Sequence, residues 1–202
     1  MILNLPDIKK CQISILGLGY VGLPLALAFA KTKIDNIDKD ILKRNVVGFD
    51  INKKRINELI NNIDVTKEVF LNELENNENL VFTNDERELL STDVFIVTVP
   101  TPVDDSKNPD LNNLKKACEI IGKVIKNSNE LINSFTIKEK KVIIFESTVY
   151  PGATEEFCAP IIEEFSGLTL NNEFVIGYSP ERINPGDKQH TLKDIIKVTS
   201  GS

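Results

Sequence analysis

The chain has 202 residues, of which 41% are hydrophobic and 27% are charged, and its formal net charge is −6. This composition describes one large or two small globular domains, and the acidic balance argues against a nucleic-acid partner because a polyphosphate backbone would be repelled. No apolar run approaches the roughly 18 residues of a membrane span, and residues 1–10 lack the basic start and apolar core of a signal peptide. We therefore expect a cytoplasmic protein that binds neither nucleic acid nor membranes.

The strongest local signal lies at residues 12–24, QISILGLGYVGLP, where a run of apolar strand-forming residues leads directly into three glycines. In this spacing Gly17 makes the tight turn after the strand, Gly19 lets the backbone approach a pyrophosphate, and Gly22 lets the following helix pack closely. The first N–H groups of that helix suit an anion. The segment predicts a bound dinucleotide, although glycine-rich loops also occur for conformational reasons alone.

The sequence that follows supports this prediction. Residues 25–33 have helical character, and residues 45–50 form a second short buried strand that ends in Asp50. Asp50 lies about 28 residues after Gly22, beyond the usual spacing of about 20, and the polar insert 34–44 accounts for the excess as a solvated excursion. We expect Asp50 to accept hydrogen bonds from the adenosine ribose; the alternative is an acid that caps the next helix.

Asp50 also favours NAD as the cofactor, because a carboxylate at the ribose would face the extra phosphate of NADP. The cations Lys53, Lys54 and Arg55 follow closely and could accommodate that phosphate, so NADP is the alternative. These cations open a predicted helix. We expect Lys53 and Lys54 on its solvated face and Arg55 over the adenine or near the ribose.

The rest of the chain alternates between strand and helix patterns. Apolar runs predict strands at 80–83, 93–99, 141–146, 174–178 and 195–199. Apolar strands joined by helical stretches of this length predict an α/β fold: a Rossmann-like, doubly wound, mostly parallel sheet with helices on both faces. Residues 62–79 are predicted to be a charged helical insertion, and residues 126–140 a polar loop.

Ligands of such sheets bind beyond the carboxyl ends of the strands. Three loops at these ends offer polar side chains and are expected to converge on one cleft, and the helix after the first of them is predicted to be capped by Asp110. The polar residues of the three loops are Thr101, Ser147, Thr148, Glu181, Arg182 and Asn184.

The cysteines do not indicate a metal or disulfide site. Cys11, Cys118 and Cys158 are odd in number, far apart and set in apolar or helical surroundings. We expect buried, reduced packing residues and no metal. The single histidine, His190, lies in a polar stretch and is interpreted as a solvated loop residue rather than a proton relay.

Four segments in order, GLGYVGLP, VPTP, ESTVYPGATEE and SPERINPGD, resemble the UDP-glucose/GDP-mannose dehydrogenase superfamily, with similarity from about residue 11 to residue 201. Within it the chain is similar to the bacterial 6-dehydrogenases of UDP-N-acetylhexosamines, of the type that serves Vi polysaccharide synthesis. The resemblance implies an NAD-dependent, four-electron oxidation of the carbon-six alcohol of a UDP-sugar to a carboxylate for surface polysaccharide. It also implies a homodimer of the full-length protein.

The resemblance implies particular roles for the residues that match the motifs. Glu181 matches the catalytic glutamate: a cysteine captures the intermediate aldehyde, a second hydride loss gives a thioester, and Glu181 activates the water that opens it while Thr148 positions that water. Glu181, Arg182 and Asn184 are the candidates for substrate binding, although without the resemblance Glu181 would be interpreted as a loop acid paired with Arg182. The implied cofactor contacts are Gly17, Gly19, Tyr20, Val21 and Gly22 on the pyrophosphate, Asp50 and Arg55 on the adenosine half, and Thr101 and Thr148 along the cofactor.

The chain departs from the family pattern in two places. Pro185 stands where the UDP-glucose enzymes carry a second glutamate, which favours the N-acetylhexosamine branch. The family's nucleophile motif, of the type Gly-x-Cys-x-Pro-Lys-Asp, and its upstream lysine are both missing from the sequence. We therefore expect residues 1–202 to form the cofactor-binding domain of a longer enzyme, without its dimerisation helix and sugar-binding domain. The alternatives are a stand-alone NAD-binding or regulatory module and a related dehydrogenase of hydroxy acids.

Overall fold

The structure is a computed structural model that describes residues 4–31, 33–34, 41–42, 44–75, 77–103, 105–106, 108–131, 139–181 and 197–201. The strands in this part of the chain are β1 (Ile13–Leu16), β2 (Lys33–Ile34), β3 (Ile41–Leu42), β4 (Val46–Phe49), β5 (Leu80–Thr83), β6 (Val94–Val97), β7 (Lys141–Phe145), β8 (Phe174–Tyr178) and β9 (Ser200–Gly201). The helices are α1 (Gly22–Ala30), α2 (Lys53–Ile60), α3 (Leu71–Glu75), α4 (Asn112–Leu131) and α5 (Ala159–Ser166), with a 3₁₀ turn at Glu86–Leu89 and a π-helical turn at Thr154–Cys158 that runs into α5.

Seven of these strands form one sheet in the order β5-β4-β1-β6-β7-β8-β9. The first six are parallel, and β9 pairs antiparallel with β8. In the central strands β1, β4, β6 and β7 the apolar side chains are divided between the two faces, so Ile15 contributes to one core and Leu16 to the other. A sheet that is apolar on both sides needs helices on both sides.

The two faces are covered by different helices. The core that contains Ile15 is closed by α1 and α2, and the core that contains Leu16 is closed by α4 and α5. The winding therefore reverses between the neighbouring strands β1 and β6. The predicted Rossmann-like, doubly wound fold is confirmed, with a topological switch point at the carboxyl ends of β1 and β6.

Several predicted elements shift in the structure. The first helix begins at Gly22 and ends at Ala30, not at 33, and the excursion after it includes the antiparallel pair of β2 and β3. Among the described residues of the predicted helix at 62–79, which leave out residue 76, only Leu71–Glu75 is helical. The side chain of Asp64 accepts hydrogen bonds from the N–H groups of Thr66, Glu68 and Val69, which offers the backbone an alternative to the helix.

Two further predictions need correction near the end of the chain. α4 continues to Leu131, into the stretch predicted as a polar loop; Ser128 is buried there while Lys126 and Asn127 are exposed, as on an amphipathic helix. The strand predicted at 195–199 is also wrong where it is described: residues 197–199 form no strand, and the short strand lies at Ser200–Gly201. Residues 195–196 lie outside the described residues.

The three cysteines are buried free thiols, as predicted. A hydrogen bond with the Cys158 thiol, together with burial, raises the pKa of Cys118, and burial raises the pKa of Cys11. Both shifts favour the protonated form, which is a poor nucleophile. In the described part of the chain, the helices lack the combination of length and apolar character that crossing a membrane requires.

The contact between α4 and α5 provides a test of core packing. A methyl group on Gly122 would lie 2.6 Å from the Cβ of Phe165. Alanine favours a helix by about 1 kcal/mol over glycine, whereas overpacking a filled core costs about 1–3 kcal/mol. We expect Gly122→Ala to lower the free energy of unfolding by about 1 kcal/mol in urea denaturation. Asn127→Ala, on the exposed side of α4, is the control and should not destabilise; a stabilised Gly122→Ala variant would contradict the packing.

Candidate functional site

A cleft of about 820 Å³ opens at the switch point, along the carboxyl ends of β1, β4, β6 and β7. Most of the predicted site residues line it together. Arg182 and Asn184 lie outside the described residues, as does His190, and Gly22 stands just behind the wall. The predicted residues in the lining are Gly17, Gly19, Tyr20, Val21, Asp50, Arg55, Thr101, Ser147, Thr148 and Glu181.

The glycines of the first turn have three different surroundings. Gly17 has φ +97°, a left-handed conformation that strains other residues. A Cβ on Gly22 would lie 1.8 Å from the carbonyl oxygen of Gly17, so only glycine permits this approach of α1 to the turn. A Cβ on Gly19 would meet no heavy atom within 4 Å, so Gly19 faces open space in the cleft. The roles predicted for Gly17 and Gly22 match this geometry.

The first turn of α1 faces the cleft without an anion of its own. Val21 precedes the helix and makes no side-chain cap, and the first turn carries no acidic residue. The N–H of Leu23 donates to the carbonyl oxygen of Gly19 and Pro24 has no N–H, so it is the positive end of the helix dipole that favours an anionic ligand here. Together with the space at Gly19, this arrangement fits a phosphate group.

Asp50 follows β4 and is bonded to the backbone on both sides. Its Oδ2 accepts a hydrogen bond from the N–H of Leu18 at 2.8 Å, and its Oδ1 accepts one from the N–H of Asn52, also at 2.8 Å. The cap of α2 is Asn52, whose Oδ1 accepts from the N–H groups of Lys54 and Arg55. The interpretation of Asp50 as the cap of the next helix is therefore wrong. Its carboxylate is half-buried in the cleft wall and retains lone pairs for a ligand hydroxyl.

Arg55 is far more buried than its expected position over an adenine implies. Its relative exposure is 7%, its Nε donates to the carbonyl oxygen of Leu18 at 2.8 Å, and its Nη2 lies 2.9 Å from Oδ1 of Asp64. Burial raises the pKa of Asp64, but hydrogen bonds from Thr66 and Arg55 outweigh it and hold that pKa below its usual range. The exposed positions predicted for Lys53 and Lys54 are confirmed.

Hydroxyl groups fasten the loops of the cleft to one another. Thr98 donates towards the carbonyl oxygens of Leu16 and Gly17, at 3.1 and 2.7 Å, and ties β6 to the glycine turn. Ser147 donates to the carbonyl oxygen of Val99 at 2.7 Å. Thr101 donates back to the carbonyl oxygen of Thr148 at 2.5 Å, so its hydroxyl proton serves the protein and only its lone pairs remain for a ligand. Thr98, which has none of the usual sequence signals of a site, was missed.

A buried carboxylate, that of Glu146, lies at the start of the loop that follows β7 and contains Thr148. Glu146 is 7% exposed, lines the cleft, and forms an ion pair between its Oε2 and the Nζ of Lys197. The backbone N–H of Ser179 donates to the carbonyl oxygen of Phe145 and places the Glu181 loop beside this one. Sequence reasoning missed the ion pair because its partners are 51 residues apart.

Helix α4 supplies the remaining wall, which the sequence analysis did not identify. Its first turns bring Lys116, Ala117 and Ile120 to the cleft, and Asn113 donates from Nδ2 to the carbonyl oxygen of Pro100 at 3.1 Å. Asp110 Oδ1 accepts from the N–H of Asn112, the first residue of α4, which agrees with the predicted cap. No spacing motif marks the cleft-facing residues of such a helix.

These features define a Rossmann-type dinucleotide-binding domain: a glycine turn that leaves room for a phosphate, a helix end that attracts it, and an acid at the end of the neighbouring strand. The chain belongs to the UDP-glucose/GDP-mannose dehydrogenase family, whose NAD-binding-domain model matches residues 11–201. The family resemblance predicted from the four motifs is confirmed.

Comparisons with known proteins agree with this assignment. The chain is 52% identical over 194 residues to the UDP-N-acetyl-D-glucosamine 6-dehydrogenase of Pseudomonas aeruginosa and 47% identical over 195 residues to that of Salmonella typhi. Each alignment covers 96% of this chain and 40% of the relative, so the chain spans about two fifths of those enzymes. The crystal structure of GDP-mannose dehydrogenase from Pseudomonas aeruginosa is similar with a TM-score of 0.73 and 26% identity, over 91% of this chain and 38% of that one.

Replacing Gly19 by alanine is expected to lower NAD affinity, whereas replacing Gly22 by alanine is expected to lower stability. Gly19→Ala places a methyl group in the open cleft, so stability should change by less than about 0.5 kcal/mol while NAD affinity falls at least about tenfold. Gly22→Ala forces α1 away from Gly17 and should cost about 3 kcal/mol of stability. Thermal unfolding and titration calorimetry with NAD separate the two effects, and equal losses of stability in both variants would contradict this geometry.

Proposed function

We propose that this chain is the cofactor-binding part of a longer NAD-dependent nucleotide-sugar 6-dehydrogenase, which oxidises a UDP-N-acetylhexosamine to the uronic acid for surface polysaccharide. The observation that carries the proposal is the convergence of Thr148 and Glu181 on the cleft that also holds the glycine turn and Asp50. The names of the two similar 6-dehydrogenases support the same chemistry.

The cofactor residues divide along the cleft. Gly17, Gly19, Tyr20 and Val21 surround the position of the pyrophosphate at the start of α1, and Gly22 keeps α1 close enough to serve it. Asp50 accepts from the adenosine ribose, with Arg55 behind it. Thr101 and Thr148 lie along the other end of the cofactor. When bound, NAD supplies the hydride acceptor for both oxidation steps.

Glu181 acts as the general base at the reacting end. Its carboxylate takes a proton from the water that opens the thioester, and the hydroxyl of Thr148 holds that water in place; such a base is worth about 10²- to 10⁴-fold in rate. Arg182 and Asn184 follow Glu181 and bind the substrate. Since Cys11, Cys118 and Cys158 are buried and do not line the cleft, the nucleophilic cysteine comes from the rest of the enzyme.

The complete enzyme works as a cytoplasmic homodimer. The decisive experiment assays the product of the whole reading frame against UDP-N-acetylglucosamine, UDP-N-acetylgalactosamine and UDP-glucose, and follows NADH. Residues 1–202 alone are the negative control, since they lack the nucleophile motif. NADH formation from a UDP-N-acetylhexosamine supports the proposal. Saturable NAD binding without oxidation of any UDP-sugar would contradict the proposal and favour an NAD-binding or regulatory module.

The cofactor preference should depend on Asp50. Asp50→Asn removes the negative charge that faces a 2′-phosphate, so the ratio of NAD affinity to NADP affinity should fall by about tenfold. Titration calorimetry with both cofactors measures the ratio. Glu86→Gln, which removes an exposed charge outside the cleft, is the matched control. If the ratio of NAD affinity to NADP affinity is unchanged in Asp50→Asn, Asp50 does not contact the adenosine ribose.

If Glu181 is the general base, its loss should stop the complete enzyme at hydrolysis of the thioester. Glu181→Gln keeps the size of the side chain but cannot accept the proton, so steady-state turnover should fall by about 10²-fold or more while a covalent sugar adduct accumulates on the cysteine. Rapid-mixing absorbance of NADH and intact-protein mass measure both effects. The control is Glu164→Gln, on the exposed side of α5. Near-normal turnover without an adduct would exclude Glu181 as the general base and favour its interpretation as a loop acid paired with Arg182.

A further inference from the structure

The carboxylate of Asp64 organises the segment that follows α2. Its Oδ1 accepts from the N–H and the hydroxyl of Thr66, at 3.1 and 2.6 Å, and from Nη2 of Arg55 at 2.9 Å. Its Oδ2 accepts from the N–H groups of Glu68 and Val69, at 2.9 and 3.2 Å. The Asp64 side chain is 3% exposed. One buried carboxylate thus shapes residues 64–69, two of which, Val65 and Thr66, line the cleft.

The same carboxylate fixes the orientation of a guanidinium group in the cleft wall. Arg55 is held by its Nε at the carbonyl oxygen of Leu18 and by its Nη2 at Asp64. Because the guanidinium is planar and rigid, these two contacts also determine where Nη1 lies. Nη1 is buried, and no described residue accepts a hydrogen bond from it. A buried donor without an acceptor is costly, which indicates that a ligand in the cleft supplies one.

The ion pair between Arg55 and Asp64 also affects how strongly the cleft attracts anions. The Arg55 and Asp64 side chains are 8% and 3% exposed, so water screens their charges only weakly and the opposite charges largely cancel at a distance. An unpaired arginine beside an adenosine ribose suits the 2′-phosphate of NADP. Paired with Asp64, Arg55 offers a hydrogen-bond donor but little net positive charge.

We infer that Asp64 is a positioning and specificity-determining residue of the cofactor site: it aims Nη1 of Arg55 at an oxygen of the adenosine half and neutralises the Arg55 charge, so that the cleft selects NAD over NADP. The inference rests on NAD binding in this cleft. It assigns to the segment after α2 a role in cofactor selection that acts through Arg55, without contact between Asp64 and the cofactor.

The test is a double-mutant cycle measured by titration calorimetry with NAD and with NADP. The unaltered chain, Asp64→Asn, Arg55→Gln and the double variant are compared. Asp64→Asn should weaken NAD binding by about tenfold, as expected when one charged hydrogen bond loses its alignment. It should weaken NADP binding less, so the preference for NAD falls. In the Arg55→Gln background, Asp64→Asn should cause no further loss of NAD affinity.

The control variant is Asp85→Asn, which breaks an ion pair of the same types in the exposed 3₁₀ turn, outside the cleft. It should leave both affinities unchanged. Thermal unfolding of each variant without cofactor shows whether it folds. Should Asp64→Asn fail to fold, Thr66→Val keeps the Asp64 carboxylate but removes the hydroxyl that donates to its Oδ1 and accepts from Nη2 of Arg55, and should weaken NAD binding by about threefold.

Three results would overturn the inference: normal NAD affinity in the folded Asp64 variant or its Thr66 substitute, an unchanged preference between NAD and NADP, or losses in the two single variants that multiply in the double variant. Failure of the unaltered chain to bind NAD would instead overturn the proposed function. The two failures are therefore distinguishable.

Discussion

The close approach of α1 to the glycine turn is the constraint on which the site depends. Thr98 bonds the carbonyl oxygen of Gly17 at the end of β1, and a Cβ on Gly22 would lie within 2.4 Å of the Thr98 hydroxyl as well as 1.8 Å from that carbonyl. The turn, the neighbouring strand β6 and the helix therefore meet without room for one methyl group. This contact sets the free end of α1 over the switch point and determines where an anion can bind.

Around this contact the cleft is held by polar side chains that bind backbone, with the apolar cores behind them. Asp50 accepts a hydrogen bond from the N–H of Leu18 and Arg55 donates one to its carbonyl oxygen. Ser147 and Thr101 each donate from one loop to a carbonyl oxygen of the other. Neutral hydrogen bonds contribute about 0.5–1.5 kcal/mol each and those to charged groups about 1.5–3. Several such bonds fix a site in advance of its ligand, so binding requires little ordering of the chain.

The parts of this molecule that could be predicted from its sequence are those that depend on neighbours in the chain. The turn at Gly17 to Gly22 follows from local spacing, and the parallel sheet follows from apolar runs such as β6 and β7. The loop at residues 64–69 could not be predicted, because its charged residues have helical spacing. The sequence does not reveal that the Asp64 side chain accepts hydrogen bonds from the backbone there. The burial of Arg55 and the pairing of Glu146 with Lys197 depend on tertiary contacts that leave no local pattern.

The ion pair between Glu146 and Lys197 links two regions that topology alone would leave independent. Glu146 begins the Thr148 loop in the cleft wall, and Lys197 lies three residues before the antiparallel edge strand β9. The Glu146 side chain is 8% exposed and that of Lys197 is 23% exposed, so separating the two would leave a buried carboxylate unpaired, which is costly. A displacement of the sheet edge at β9 would therefore disturb the wall of the cleft beside Thr148.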